Sequence, residues 1–135
     1  MRSDHDAFEP AVLEERVRQF VTESEHLIPS AGDALVQQAV DMLGATVDQS
    51  MRNAVTMLHN QIPETEFLAR RARELGASAA SAFGAGFGGS VWALVRDNES
   101  SRLAEDLMRE YRLRFPQHRA AEAFVTAAAP PAQRL

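Results

Sequence analysis

The most informative segment of the chain is the glycine loop Gly84-Ala85-Gly86-Phe87-Gly88-Gly89, and Ser90-Val91-Trp92-Ala93-Leu94-Val95-Arg96 follows it. Four glycines in six residues permit positive φ angles and a close backbone approach that a Cβ would block, at a large entropic cost on folding. Successive backbone N–H groups in such a loop can form a concave anion site. A tight, inert hairpin between two strands is the alternative reading of the same spacing.

The residues on either side of the loop favour strands. Residues 77–83 are small and apolar, and residues 90–96 are apolar on both alternating faces, which is typical of a strand covered on both sides. We therefore predict two antiparallel strands joined by the glycine loop.

Two common glycine motifs match the loop but fail on context. The pattern Gly-x-Gly-x-x-Gly, with Asp106 20 residues after Gly86, resembles a dinucleotide fingerprint, which requires a helix directly after the loop. The glycine loop of protein kinases does lie between strands, but its partner motifs are missing, and all 14 basic residues of the chain are arginine. Neither match carries a function by itself.

Apolar spacing predicts three helical regions. The first covers residues 23–59 and is broken at Pro29, Gly32 and Asp33, with Gly44 loosening it again. The second begins at Pro63, because proline suits a first helical turn, and runs to Leu75 with Gly76 as its cap. The third, residues 100–115, is amphipathic and ends before Pro116. Its apolar residues Leu103, Leu107 and Tyr111 are predicted to pack on the sheet.

Two further segments are predicted as strands from weaker signals. Residues 17–22 are rich in β-branched and aromatic residues, although a helix begun at Ala11 would fit them too, and residues 123–127 resemble a last edge strand. The resulting order predicts an α+β fold with a ferredoxin-like split βαβ antiparallel sheet and helices on one face. Residues 1–16 would be an N-terminal extension, residues 17–127 the domain and residues 128–135 a flexible tail.

Composition limits the function classes. The chain has 135 residues, 45% hydrophobic and 24% charged, as expected for one soluble globular domain. A net charge of -5 argues against nucleic-acid and anionic-membrane partners, and no apolar run approaches the roughly 18 residues of a membrane span. The polar N-terminus favours a cytoplasmic protein. The absence of cysteine excludes thiolate chemistry, and the four histidines are too widely spaced to predict a metal site.

The setting of the loop carries a family resemblance. Leu75-Gly76-Ala77, the glycine loop and the strand after it strongly resemble the third signature motif of the GHMP kinases in its galactokinase form. Further likenesses are the opening segment Val17-Arg18-Gln19-Phe20-Val21-Thr22-Glu23, the mid-helix segment 44–50, Pro63-Glu64 and the terminal Phe124-Val125-Thr126. Ala82-Phe83 and Ser90 depart from the usual motif. Nothing resembles the first two family motifs or the catalytic Asp and its Arg partner.

The resemblance implies the C-terminal domain of an ATP-dependent sugar-1-kinase, with galactose and ATP giving galactose 1-phosphate and ADP. Gly84, Ala85, Gly86, Phe87, Gly88 and Gly89 would support the phosphate site, with Phe87 packing behind the glycines. The full enzyme would use ATP and Mg2+ and would include an N-terminal kinase domain. This chain alone would hold no cofactor and no catalytic residue, and it would be inactive. Alternatives are another GHMP small-molecule kinase and a non-catalytic ferredoxin-like binding or dimerisation module.

Overall fold

The computed structural model describes residues 9–129, in which five α-helices accompany a two-stranded sheet. The helices are α1 (Pro10–Thr22), α2 (Ile28–Val36), α3 (Val40–Asn53), α4 (Pro63–Glu74) and α5 (Ser100–Arg114), and the strands are β1 (Ala79–Phe83) and β2 (Ser90–Leu94). A π-helical turn follows α1 (Glu23–Leu27), a second follows α3 (Ala54–Leu58), and a 3-10 turn (Asp97–Glu99) precedes α5. The predicted α+β class is confirmed.

The glycine loop joins β1 and β2 into an antiparallel hairpin. Ala79 pairs with Leu94 at one end and Phe83 with Ser90 at the other, and the Ser78 N–H extends the ladder by donating to the Leu94 carbonyl at 2.7 Å. The prediction of two antiparallel strands around the loop is confirmed. β2 ends two residues earlier than the apolar run suggested.

Helix α4 occupies the centre of the structure, between the sheet and α5. Leu103 and Leu107 of α5 share a buried cluster with Ala72 of α4 and Ala80 of β1, as predicted. Tyr111 belongs instead to a second cluster, in which Met108, Tyr111 and Phe115 pack against Phe67 and Leu68 of α4. The prediction for Tyr111 was therefore wrong, because α4 lies between this part of α5 and the strands.

One face of the hairpin is open along β2 and at Phe83, although Ala79 on the same face is buried and Ser81 Oγ lies 3.6 Å from Met51 Sδ of α3. The pairing register places Phe83, Trp92 and Leu94 on the same face, where they are 56%, 38% and 43% exposed. The prediction that β2 is covered on both faces is wrong for residues 9–129, since the helices of this part of the chain bury the side that carries Ala80 and Ala93.

Residues 17–22 form the end of α1 and not a strand. Pro10 stands in the first turn of this helix, where its fixed φ angle and missing N–H are well tolerated. Leu13, Val17 and Val21 then recur at four-residue steps, which is a helical spacing. The β-branched composition that favoured a strand was outweighed by this local start signal.

Residues 123–127 do not form a strand either. They carry no regular structure and are exposed, with 87% of Phe124 accessible. Alanine-rich sequence has a weak strand preference, and these residues pair with neither β1 nor β2. Of the four strands predicted, the two beside the glycine loop are present in the described part of the chain.

The first helical region is broken at a different place from the one predicted. Pro29 stands in the first turn of α2 and Gly32 lies inside that helix, so both are accommodated. The break comes at Gln38, whose φ of 55° lies in the left-handed region. Gly44 does not loosen α3. It is buried, and a Cβ there would meet the Ser78 carbonyl oxygen, so glycine allows α3 to approach the start of β1.

Helix α4 begins at Pro63 as predicted and ends one residue earlier than predicted. Pro63 stands in its first turn, and the Ile62 N–H donates to Thr65 Oγ1 at 3.2 Å. The helix ends at Glu74, Leu75 caps it, and Gly76 follows with a φ of 107°.

Charged side chains tie α4 to its neighbours. Arg73 donates from Nε and Nη2 to the Asp48 carboxylate of α3 at 3.0 Å, and Arg71 makes a two-pronged contact with Glu110 of α5, with Nη2 2.7 Å from Oε1. α4 therefore contacts α3, α5 and the sheet, and it sets the position of the hairpin.

Candidate functional site

The glycine loop holds five of its six residues at positive φ. The angles are 87° at Gly84, 87° at Gly86, 58° at Phe87, 118° at Gly88 and 97° at Gly89. Glycine adopts such angles without steric penalty, which explains four of these positions. Phe87 does not share that freedom, and the left-handed conformation costs a non-glycine residue about 1–2 kcal/mol.

Asn60, in the segment between α3 and α4, lies directly against this loop. The Phe87 N–H donates to the Asn60 carbonyl oxygen at 2.5 Å, and Asn60 Nδ2 donates to the Ala85 carbonyl oxygen at 3.3 Å. A Cβ on Gly86 would meet the Asn60 carbonyl oxygen and would lie 2.7 Å from Asn60 Cγ. Gly86 is therefore needed for the approach to Asn60 as well as for its φ angle.

The other loop glycines have different surroundings. A Cβ at Gly84 or at Gly89 would have no atom within 4 Å, and one at Gly88 would lie 3.4 Å from Ile62 Cδ1. The family resemblance implied that the Phe87 ring packs behind the glycines. Phe87 is instead 71% exposed within residues 9–129, so its ring does not pack there. The two ends of the loop thus leave space beside the backbone.

A strained turn brings Asn60 to the loop. The π-helical turn Ala54–Leu58 is closed by His59, which has a φ of 51° and whose Nε2 lies 3.1 Å from Glu15 Oε2 of α1. Asn60 was not among the predicted site residues, because it belongs to no periodic pattern and its contact with Ala85 spans 25 residues. The polar segment His59-Asn60-Gln61 between two helices was the one available hint.

A cavity of about 380 Å³ lies next to the end of the loop, with Gly89, Ile62, Glu64, Tyr111 and His118 in its walls. Glu64 Oε1 lies 2.9 Å from His118 Nε2, and this hydrogen bond holds the pKa of Glu64 below its usual range. The pair attaches the segment after α5 to the first turn of α4.

The described residues carry neither a metal-ligand cluster nor a candidate membrane span. Within residues 9–129, no group of three or more His, Asp or Glu side chains is placed to hold a metal ion. None of the helices described here is long and apolar enough to cross a membrane.

Comparison with known proteins gives this architecture a family. The sequence profile described as GHMP kinases C terminal matches residues 33–113, which is more than half of the chain and includes Asn60, α4 and the glycine loop. The chain belongs to the GHMP kinase family. Residues 33–113 thus match a GHMP kinase C-terminal domain, and the resemblance found in the sequence is confirmed.

Two curated relatives of this GHMP kinase domain are named galactokinase. The protein of Thermococcus kodakarensis is 30% identical over 103 residues, which is 76% of this chain and 29% of the relative. The protein of Pyrococcus furiosus is 31% identical over 83 residues, which is 62% of this chain and 24% of the relative. The chain therefore spans less than a third of the length of these curated relatives.

Proposed function

We propose that this chain is the C-terminal domain of an ATP-dependent sugar-1-kinase of the galactokinase type, which converts galactose and ATP to galactose 1-phosphate and ADP. The observation that carries the proposal is the exposed glycine loop with five positive φ angles, set in a hairpin inside the region that matches the GHMP kinase family. The names of the two relatives support the galactokinase assignment within that family.

In this proposal residues Gly84, Ala85, Gly86, Phe87, Gly88 and Gly89 border the phosphate site. A Cβ at Gly84 or Gly89 would have no atom within 4 Å beyond the chain neighbours, so the backbone at these two positions is open to an approaching anion. The Phe87 N–H is already bonded to Asn60, so the loop would offer its other N–H groups to an anion. Bound ATP with Mg2+ would supply the phosphoryl group and neutralise its charge.

An N-terminal kinase domain is the proposed partner of this chain. Phosphoryl transfer needs a positioned donor, a positioned acceptor and cationic groups around the moving phosphoryl group. One glycine loop supplies part of that set, and the curated relatives are more than three times as long as the matched segments. The open hairpin face at Phe83, Trp92 and Leu94 lies beside the loop and is suited to contact that domain. We place the complete enzyme in the cytoplasm.

The test is to express the protein encoded by the complete reading frame that contains this chain, and to measure ATP turnover with a panel of monosaccharides. Galactose-dependent turnover is expected, and the isolated 135-residue chain should have none. Turnover with another small molecule would instead make the protein a different GHMP kinase. If the complete protein shows no ATP turnover with any of the acceptors tested and the isolated chain forms stable dimers, the chain is instead a non-catalytic dimerisation module.

A further inference from the structure

Asn60 contacts the glycine loop on both sides of Gly86. Its backbone carbonyl accepts a hydrogen bond from the residue after Gly86, and its side-chain amide donates to the carbonyl of the residue before it. Gly86 lies between these two bonds, close enough that a Cβ would collide with Asn60. Loop residues 85–87 therefore contact both the backbone and the side chain of a single residue, Asn60.

The Asn60 amide is itself oriented by a neighbouring network. Asn60 Oδ1 accepts from Gln61 Nε2 at 3.0 Å, and Gln61 Oε1 accepts from Thr65 Oγ1 at 2.9 Å. Because Oδ1 faces Gln61, the Nδ2 donor is turned towards Ala85. Thr65 is buried in the first turn of α4, so the network connects the loop to the central helix of the domain.

Such a support matters because the loop cannot define its own shape. Glycine populates positive and negative φ about equally, so four glycines in six residues allow many loop conformations. Phe87 also adopts a left-handed angle that it would avoid without an external contact. The bonds to Asn60 select one conformation from this set.

We propose that Asn60 is a positioning residue, which fixes the glycine loop in the conformation that borders the transferred phosphate. The catalytic part of this inference rests on the proposed function. The holding of the loop by Asn60 is a property of the chain itself, and the two parts are tested by different measurements.

The first measurement uses the 135-residue chain and amide hydrogen exchange followed by NMR. Asn60→Asp keeps the shape of the side chain but removes the Nδ2 donor, and Asn60→Ala removes the side-chain bonds altogether. Both variants keep the backbone carbonyl that accepts from Phe87, so their effect on that amide is indirect. Without the Nδ2 bond to Ala85 the loop should open more often, and the Phe87 amide should exchange roughly fivefold faster, the effect of losing one hydrogen bond from the loop. The control is Asn98→Ala, the same truncation at an exposed residue of the turn Asp97–Glu99, which should leave Phe87 unchanged. Unchanged exchange in both Asn60 variants would overturn the proposal.

The second measurement uses the protein encoded by the complete reading frame. Both Asn60 variants should lower kcat roughly tenfold, the scale expected when a group beside the reacting atoms is misplaced. The KM for the sugar should stay within about twofold, and Asn98→Ala should behave as wild type. Faster exchange with an unchanged kcat would refute the catalytic role. A wild-type protein without sugar-dependent turnover would refute the proposed function, and the exchange rates would still decide whether Asn60 holds the loop.

Discussion

At the scale of single residues, the glycines of this domain differ in what surrounds them. Gly44 is buried against the Ser78 carbonyl, Gly86 lies against Asn60, and Gly32, Gly84 and Gly89 have no atom within reach of a Cβ. The glycine-rich composition of the loop is visible in the sequence. The partner that makes Gly86 irreplaceable is not, because it comes from a distant part of the chain.

Gly44 and Gly32 provide a matched pair of helix substitutions. Alanine has a helix propensity about 1 kcal/mol better than glycine, so Gly32→Ala should stabilise the domain by about 0.5–1 kcal/mol. Gly44→Ala should destabilise it by about 1–2 kcal/mol, because the new Cβ would meet the Ser78 carbonyl oxygen and lie 3.0 Å from Arg73 Nη2. Urea unfolding followed by the fluorescence of Trp92, the single tryptophan, measures both. Shifts of the same sign would contradict the packing role of Gly44.

Gly86 and Gly89 form a second pair, within the loop. Both have positive φ angles, so alanine at either position should cost about 1–2 kcal/mol. Gly86→Ala should cost about 1 kcal/mol more, since its Cβ would also displace Asn60. The free energy of unfolding of the two variants gives the comparison. Equal losses of unfolding free energy in the two variants would mean that the loop can move away from Asn60 at no cost in stability, and they would contradict this prediction.

At the scale of helices and strands, the sequence predicted the elements that carry local signals. Pro63 and Gly76 mark the ends of α4, and a four-residue apolar repeat marks α5. Residues 17–22 were mistaken for a strand because β-branched composition does not define a partner strand. The position of Tyr111 depended on how α4 and α5 cross, which periodicity does not specify.

The ion pairs of Arg71 predict how stability depends on pH. Hydrogen bonds from Arg71 hold the pKa values of Glu74 and Glu110 below their usual range. Their contribution is therefore present above the unfolded pKa of about 4.3 and is lost as pH falls through the lower folded values. Arg71→Gln should lower the urea midpoint at pH 7 and should flatten its decline below about pH 4.5. Arg102→Gln removes an exposed arginine of α5 and is the control. An unchanged acid limb in Arg71→Gln would contradict this account.

At the scale of the whole molecule, the glycine loop and the open hairpin face lie on the same β-hairpin. The loop begins directly after Phe83, and the open face that carries Phe83 continues through Trp92 to Leu94. We propose that this surface contacts the N-terminal domain of a larger kinase, which the family match and the greater length of the relatives support. The apolar side chains of β2 predicted a strand buried on both faces. Apolar character predicts burial, but it does not specify which part of the protein packs against the strand.

Leu94→Gln and Leu113→Gln test that surface. Both leucines are exposed, at 43% and 79%, so each change should alter the stability of the isolated chain by less than about 1 kcal/mol. Leu94→Gln should weaken binding to the separately expressed remainder of the reading frame roughly tenfold, whereas Leu113→Gln on α5 should not. Calorimetric titration of the two fragments measures the difference. Equal affinities would place the contact elsewhere.

The π-helical turn Ala54–Leu58 has a consequence for how relatives of this domain differ in length. Such a turn closes i→i+5 hydrogen bonds, so it contains one residue more than the α-helical turn it replaces. A relative that lacks this residue can return to regular α-helix and still deliver the next segment to the same place. Alignments should therefore contain single-residue gaps at the end of α3, and the spacing from Pro63 to the glycine loop should be held constant.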